Sequence, residues 1–170
     1  AGLQKTAHVL AGFGGHKLAA GVRLEPNQLE RFREAFEQVV ADELGGQPLT
    51  PALLLECELD FQQASDSAFL QELELMQPFG AGNAEPVFAS PELTVVDRSP
   101  LGYSGDHVRL RLKDSASGIT LMAKGWNMAT AFPPSSVGSR IRVAYTPRLD
   151  YYRGVASIDV GIKDWQPVAD

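Results

Sequence analysis

The chain has 170 residues and a mass of 18.4 kDa, with 44% apolar and 21% charged residues; this fits one average domain or two small ones and excludes wholesale disorder. Its net charge of −6 excludes a polycation that holds nucleic acid by bulk charge, but the balance is uneven: residues 1–80 carry five Lys and Arg against twelve Asp and Glu, whereas residues 81–170 carry ten against nine. A single cysteine, Cys57, excludes a disulfide framework and a cysteine-based zinc site.

In chain order, GLQKTAHVL (2–10) reads as the tail of a helix with Leu3, Ala7 and Leu10 on one face, and the glycines of AGFGGH end it in a tight turn. With no initiator Met and a start inside this helix, the chain is expected to be a piece of a longer protein. A second helix starts near Glu25-Pro26-Asn27, carries Leu29, Phe32, Phe36, Val39 and Val40 on one stripe, and ends at Gly45-Gly46. LLLECELDF (53–61) predicts a strand with Cys57 buried in it. Ser65 or Asp66 caps a short helix that turns Leu70, Leu73 and Met76 inward, and PFGAGNAEP (78–86) is a structured connector.

Beyond the connector the apolar period changes from helical to two. Strands are predicted at 87–97, 107–114, 119–126, 139–150 and 154–165, with one helical turn in NMATAF (127–132). Five strands with a helical insert between the third and fourth match the five-stranded Greek-key barrel called the OB-fold; another small barrel or sandwich is the alternative. The whole is an α+β chain, divided as 1–62, a linking helix and connector at 63–84, and the barrel at 85–170. No transmembrane run and no leader pattern is present, and a cytoplasmic location is expected.

Two features carry candidate chemistry. In HVRLRLKD, Val108, Leu110 and Leu112 alternate with His107, Arg109, Arg111 and Lys113, so one face is apolar and the other a row of cations; Arg140 and Arg142 repeat the pattern against Ile141 and Val143. The turn after the fourth strand adds Tyr151, Tyr152 and Arg153. Cations beside exposed aromatics suit single-stranded nucleic acid, the cations tracking phosphates and the rings stacking on bases. The competing reading is a solvated strand face with hairpin-packing tyrosines; Trp126 is expected in the core and His107 and His8 in solvent. The second feature is FGGHKLAAG (13–21), in which Gly14 and Gly15 let the backbone approach a phosphate and His16 could donate to it; the competing reading is a helix-ending turn with an incidental histidine.

GGHKLAAG resembles the GGH motif of the DHH phosphoesterase superfamily. Together with LELMQPFGAGNAEPVF (73–88) and the barrel behind it, nearly the whole chain resembles the C-terminal part of the RecJ family of single-strand-specific DNA exonucleases; Ala84 departs from the family's usual Pro. The resemblance implies that residues 1–62 are the end of a DHH-associated substrate-binding α/β subdomain and that Gly14, Gly15 and His16 hold substrate phosphate. It implies that Arg109, Arg111, Tyr151, Tyr152 and Arg153 belong to a barrel that binds single-stranded DNA for 5′-to-3′ degradation in repair and recombination. It also implies Mn2+ or Mg2+ in an upstream DHH domain: the chain has no DHH triplet, so no catalytic residue, metal ligand or cofactor is assigned to it, and it is expected to be inactive alone. The upstream DHH domain is the expected partner in the same polypeptide. Two other readings are a docking module recruiting a partner such as single-strand-binding protein, and part of a small-nucleotide phosphodiesterase.

Overall fold

The alternation of HVRLRLKD sets the centre of the fold, because Val108, Leu110 and Leu112 are each fully buried while Arg109, Arg111 and Lys113 are exposed. The computed structural model describes residues 2–16, 19–47, 50–151, 154 and 156–169. They form two compact units, Ala1–Ala52 and Leu53–Asp170.

In the first unit, α1 (Gly2–Lys5) is followed by a 3-10 turn at Ala7–Val9, so the expected continuous helix over 2–10 is broken. The GGH segment then departs from the expected turn. Gly14 and Gly15 lie in strand β1 (Gly12–His16), which pairs antiparallel with β2 (Ala19–Arg23), Gly14 opposite Gly21 and Gly15 opposite Ala20. Small residues on both strands permit this close pairing: a Cβ on Gly15 would overlap the Ala19 carbonyl oxygen and Ala20 Cα, and would lie 2.7 Å from Ala20 Cβ. Helix α2 (Leu29–Glu43) follows a 3-10 turn at Pro26–Gln28 and stops where Gly45 and Gly46 take φ of 59° and 74°. Its expected apolar stripe is present, with Phe32 and Phe36 in ring contact at 5.6 Å, but no residue of α2 is fully buried.

In the second unit, residues 53–61 are extended without forming a strand of a ladder. They run beside residues 87–89, with Glu56 N donating to Val87 O, Ala89 N to Cys57 O and Leu59 N to Ala89 O, each at 2.9 Å. Leu59 and Phe61 enter the core, but Leu53 to Leu55 stay exposed, and so does Cys57, contrary to its expected burial. Helix α3 (Ser67–Leu75) is capped by Asp66, whose Oδ1 accepts from Ala68 N at 2.9 Å; Leu70 is buried as expected, whereas Met76, just past the last turn, is exposed. Asn83 Nδ2 ties the connector together by donating to Met76 O at 2.8 Å and Pro78 O at 3.0 Å.

The expected first strand divides at Ser90-Pro91 into β3 (Phe88–Ala89) and β4 (Leu93–Leu101), since a proline has no N–H to give a ladder. Ser90 bridges the break: its Oγ accepts from Val143 N at 2.9 Å and donates to Pro91 O at 2.8 Å. β5 (His107–Asp114), β6 (Thr120–Gly125), β7 (Arg140–Asp150) and β8 (Ser157–Pro167) complete the sheet. β4, β5, β6, β8 and β7 are hydrogen-bonded in that order, and β7 returns to β4, which closes the ring; β3 pairs with β7 on one side and meets the extended segment at Glu58 on the other. The β6–β8 pairing is parallel and the others antiparallel. This order, with a 3-10 turn at Pro134–Ser136 between the third and fourth ring strands, is that of the OB-fold.

The ring interior holds Leu93, Val95, Val108, Leu110, Leu112, Ile141, Val143 and Val160, closed by Phe61 and Phe132. Tyr145 joins them, its ring edge-on to Phe61 at 5.9 Å and its hydroxyl donating to Leu59 O at 2.8 Å. Burial, with the charges of Asp60 and Asp114 nearby, pushes its phenol well above the ordinary tyrosine range.

Candidate nucleic-acid interface

A strand residue and its antiparallel partner share a sheet face, so the β4–β5–β6 register fixes what lies beside each cation of β5. Arg109 stands between Ser99 and Lys124, Arg111 between Asp97 and Met122, and Lys113 between Thr94 and Thr120. One step further along, His107 faces Trp126, the two rings meeting at 4.7 Å and 70°. The outer face therefore runs from an aromatic pair at one end past Arg109, Arg111 and Lys113 in turn, with the carboxylate of Asp97 beside Arg111.

Charge pairing separates this face from the rest of the unit. Arg140 pairs with Glu92 at 3.2 Å and Arg142 with Glu58 at 3.7 Å, so the second cation row expected from the sequence is neutralised. Lys124 meets Asp159 at 2.9 Å. Arg148 and Lys163 converge on Glu85 of the connector, Arg148 Nε at 2.7 Å and Lys163 Nζ at 3.1 Å; burial opposes ionisation of this carboxyl, but the two cations outweigh it and hold it below the usual carboxylate range. Arg98 donates to the carbonyls of Phe132 and Ala129, fastening the insert. Of the Lys and Arg side chains described in this unit, only Arg109, Arg111 and Lys113 have no ion-pair or hydrogen-bond partner, which leaves three uncompensated cations in a row on one strand.

Of the site residues expected from the sequence, Arg109 and Arg111 thus lie side by side. Tyr151 is exposed just past the end of β7, its hydroxyl 3.5 Å from Glu74 Oε2, while Tyr152 and Arg153 lie outside the described residues. Two aromatics were not assigned to the site. Trp126, expected in the core, is 56% exposed, and Tyr103 in the β4–β5 loop is fully exposed. The signal for Trp126 was present: it continues the outward parity of Met122 and Lys124.

The GGH residues belong to the first unit. His16 is exposed, and Gly14, Gly15 and His16 border an open depression of about 730 Å³ shared with Phe13, Val22, Phe32 and Phe36. Gly14 has free space where a Cβ would go, so the two glycines differ: one is sterically required and the other is not. No group of three or more His, Cys, Asp or Glu side chains among the described residues is arranged to hold a metal ion. No helix among them is long and apolar enough to cross a membrane.

Comparison with known proteins agrees with the strand order. The chain is 28% identical over 159 residues to the single-stranded-DNA-specific exonuclease RecJ of Haemophilus influenzae, covering 92% of this chain and 27% of that protein. It is 24% identical to the Escherichia coli protein of the same name, with 92% and 26% covered. It spans about a quarter of the length of these curated relatives. Crystal structures of RecJ from Thermus thermophilus in complex with Mn2+ and with Mg2+ superpose over 99% of the chain with TM-scores of 0.70 and 0.69, at 24% and 25% identity. The ions named in those complexes have no three-ligand seat among the residues described here. The family description that matches residues 55–164 is the RecJ OB domain, and the chain belongs to that family.

Proposed function

We propose that the OB-fold unit binds single-stranded DNA across the outer face of β5 and β6, with Arg109, Arg111 and Lys113 on phosphates and Trp126, Tyr103 and Tyr151 offering stacking surfaces to bases. The observation that carries this reading is the row of three unpaired cations ending at a solvent-facing aromatic pair, in a unit whose other described Lys and Arg side chains are each engaged by a carboxylate or a backbone carbonyl. Stacking tolerates any base, and cations follow the backbone, so the face suits a strand of any sequence. A duplex keeps its bases stacked inside and offers none to these rings.

In this reading the chain is the DNA-holding part of a RecJ-type 5′-to-3′ exonuclease. Phosphodiester hydrolysis is supplied by a metal-bearing DHH domain outside these 170 residues, which is why no hydrolytic step is assigned to any residue here. Residues 1–52 form the end of the DHH-associated subdomain, in which the backbone at Gly14 and Gly15 and the His16 imidazole receive a substrate phosphate; residues 53–62 of the expected 1–62 span belong instead with the DNA-binding unit, since Leu59 and Phe61 enter its core. Fluorescence anisotropy with a labelled 20-nucleotide single strand, competed by unlabelled single strand or duplex, tests the binding. Displacement by single strand but not by equal duplex is expected, as is no release of nucleotides with Mn2+ present. Equal displacement by both, or no anisotropy change at low salt, refutes the reading.

A further inference from the structure

His107 opens β5 on the proposed DNA-binding face, yet its ring is committed to the protein. The Val108–Gly125 pairing places it opposite Trp126, whose indole meets it edge-on at 4.7 Å. The backbone N–H of Asn127, the next residue, donates to its Nδ1 at 3.0 Å. Asn127 has φ of 57°, a left-handed conformation that asparagine accepts more readily than other non-glycine residues and that turns the chain sharply after Trp126. Behind the ring, a Cβ on Gly102 would lie 3.4 Å from His107 Cδ2, so the β4–β5 loop closes the other side. Ala129 N donates to Asp106 O at 3.1 Å, binding the turn after β6 to the start of β5 a second time.

The donor at Nδ1 fixes the chemistry. A neutral imidazole can accept there only with its proton on Nε2; an imidazolium has N–H at both nitrogens and cannot accept. We propose that His107 is the positioning residue for Trp126: in its neutral, Nε2-protonated form it holds the Trp126–Asn127 turn and keeps the indole presented to a base, and protonation at Nδ1 releases it. This rests on the reading that the β5–β6 face binds single-stranded DNA. The charged and titratable groups on the elements next to the ring are Asp106 and Tyr103 of the β4–β5 loop, Arg109 two residues on along β5, and Lys124 of β6, the last already paired with Asp159; Leu101 opposite it on β4 and the turn 126–128 bring none. The sign of the effect separates this role from direct contact. A histidine touching phosphate would tighten DNA binding as it gains charge, whereas loss of one stacking platform weakens it.

The experiment is a titration of the 170-residue chain from pH 8 to 5.5, followed by the amide resonance of Asn127 and the indole N–H of Trp126, with His107→Asn beside it, because the carboxamide oxygen of asparagine can accept near the Nδ1 position and does not titrate. Both resonances are expected to move together in the wild type and stay still in the variant. Binding of an oligothymidylate is expected to weaken about fivefold or more between pH 8 and 5.5 in the wild type relative to the variant, the cost of one lost stacking contact. Movement that persists unchanged in His107→Asn, or tighter wild-type binding at pH 5.5, overturns the proposal. The ring 15N shifts of wild-type His107 at pH 8 decide it without any variant: a proton on Nδ1 overturns it. Absence of oligonucleotide binding at pH 8 counts against the DNA-binding reading, while the resonances still decide the role of His107.

Discussion

Replacing Arg109 and Arg111 together by alanine removes two of the three unpaired cations from β5 and leaves the apolar face of the strand intact, because Val108, Leu110 and Leu112 point the other way. Each cation that neutralises a phosphate of a single strand contributes about 0.7 to the slope of log affinity against log salt. Losing two lowers that slope by about 1.4, so between 50 and 200 mM salt the wild type should lose about sevenfold more affinity than the variant. Anisotropy of a labelled oligothymidylate over that range measures both slopes, and two oligonucleotides of different sequence should give the same change. Arg142→Ala is the control, since Arg142 already pairs with Glu58 and has little charge to offer a phosphate. An unchanged slope in the double variant, or an equal fall in the control, refutes the assignment of the face.

Trp126→Ala should weaken binding by about 1–3 kcal/mol at every salt concentration while leaving the slope as it was, because stacking releases no counterions; the same salt series checks this. Gly15→Ala should destabilise the β1–β2 pairing by about 1–3 kcal/mol, since its Cβ meets backbone, whereas Gly14→Ala should fall within about 0.5 kcal/mol; amide exchange of residues 12–23 in the two variants compares them. Asp114 supplies an acid-dependent contribution to stability. Burial opposes ionisation of its carboxyl, but donors outweigh it: Ser117 Oγ at 2.8 Å and the N–H groups of Ala116 at 2.8 Å, Phe61 at 3.2 Å and Ser117 at 3.3 Å hold it below the usual range. That stability is complete above the unfolded carboxylate's titration near ~4 and is lost as pH falls through the lower folded value. Urea unfolding between pH 2 and 6 should therefore show a shallower acid limb in Asp114→Asn, and an identical limb would contradict it.

The strands of the ring were legible because half-buried β-structure writes itself as period two: β5, β6 and β7 fall within a residue or so of their expected bounds, and Gly45-Gly46 marked the end of α2. What local pattern could not show was long-range pairing. Arg140 and Arg142 look like Arg109 and Arg111 in sequence, and only the fold brings Glu92 and Glu58 to the first pair. Segment 53–61 has the apolar content of a strand but lies along the sheet margin, where Leu59 and Phe61 find the core and Leu53 to Leu55 and Cys57 do not. Paired glycines suggested a turn at 14–15, yet the small residues facing them at 19–21 made a close two-stranded pairing the better use of them. Trp126 was expected inside on residue type, whereas strand parity and the His107 ring put it outside.

If the outer face of β5 and β6 receives the DNA strand, amide chemical-shift mapping of the chain with an unlabelled oligothymidylate locates the strand there. Shifts are expected to concentrate at residues 103, 107–113, 122–127 and 151, with those at the ion-paired Arg142 and Arg148 near zero. Shifts gathered instead on residues 53–57 or along β7 and β8, with β5 silent, would contradict that location.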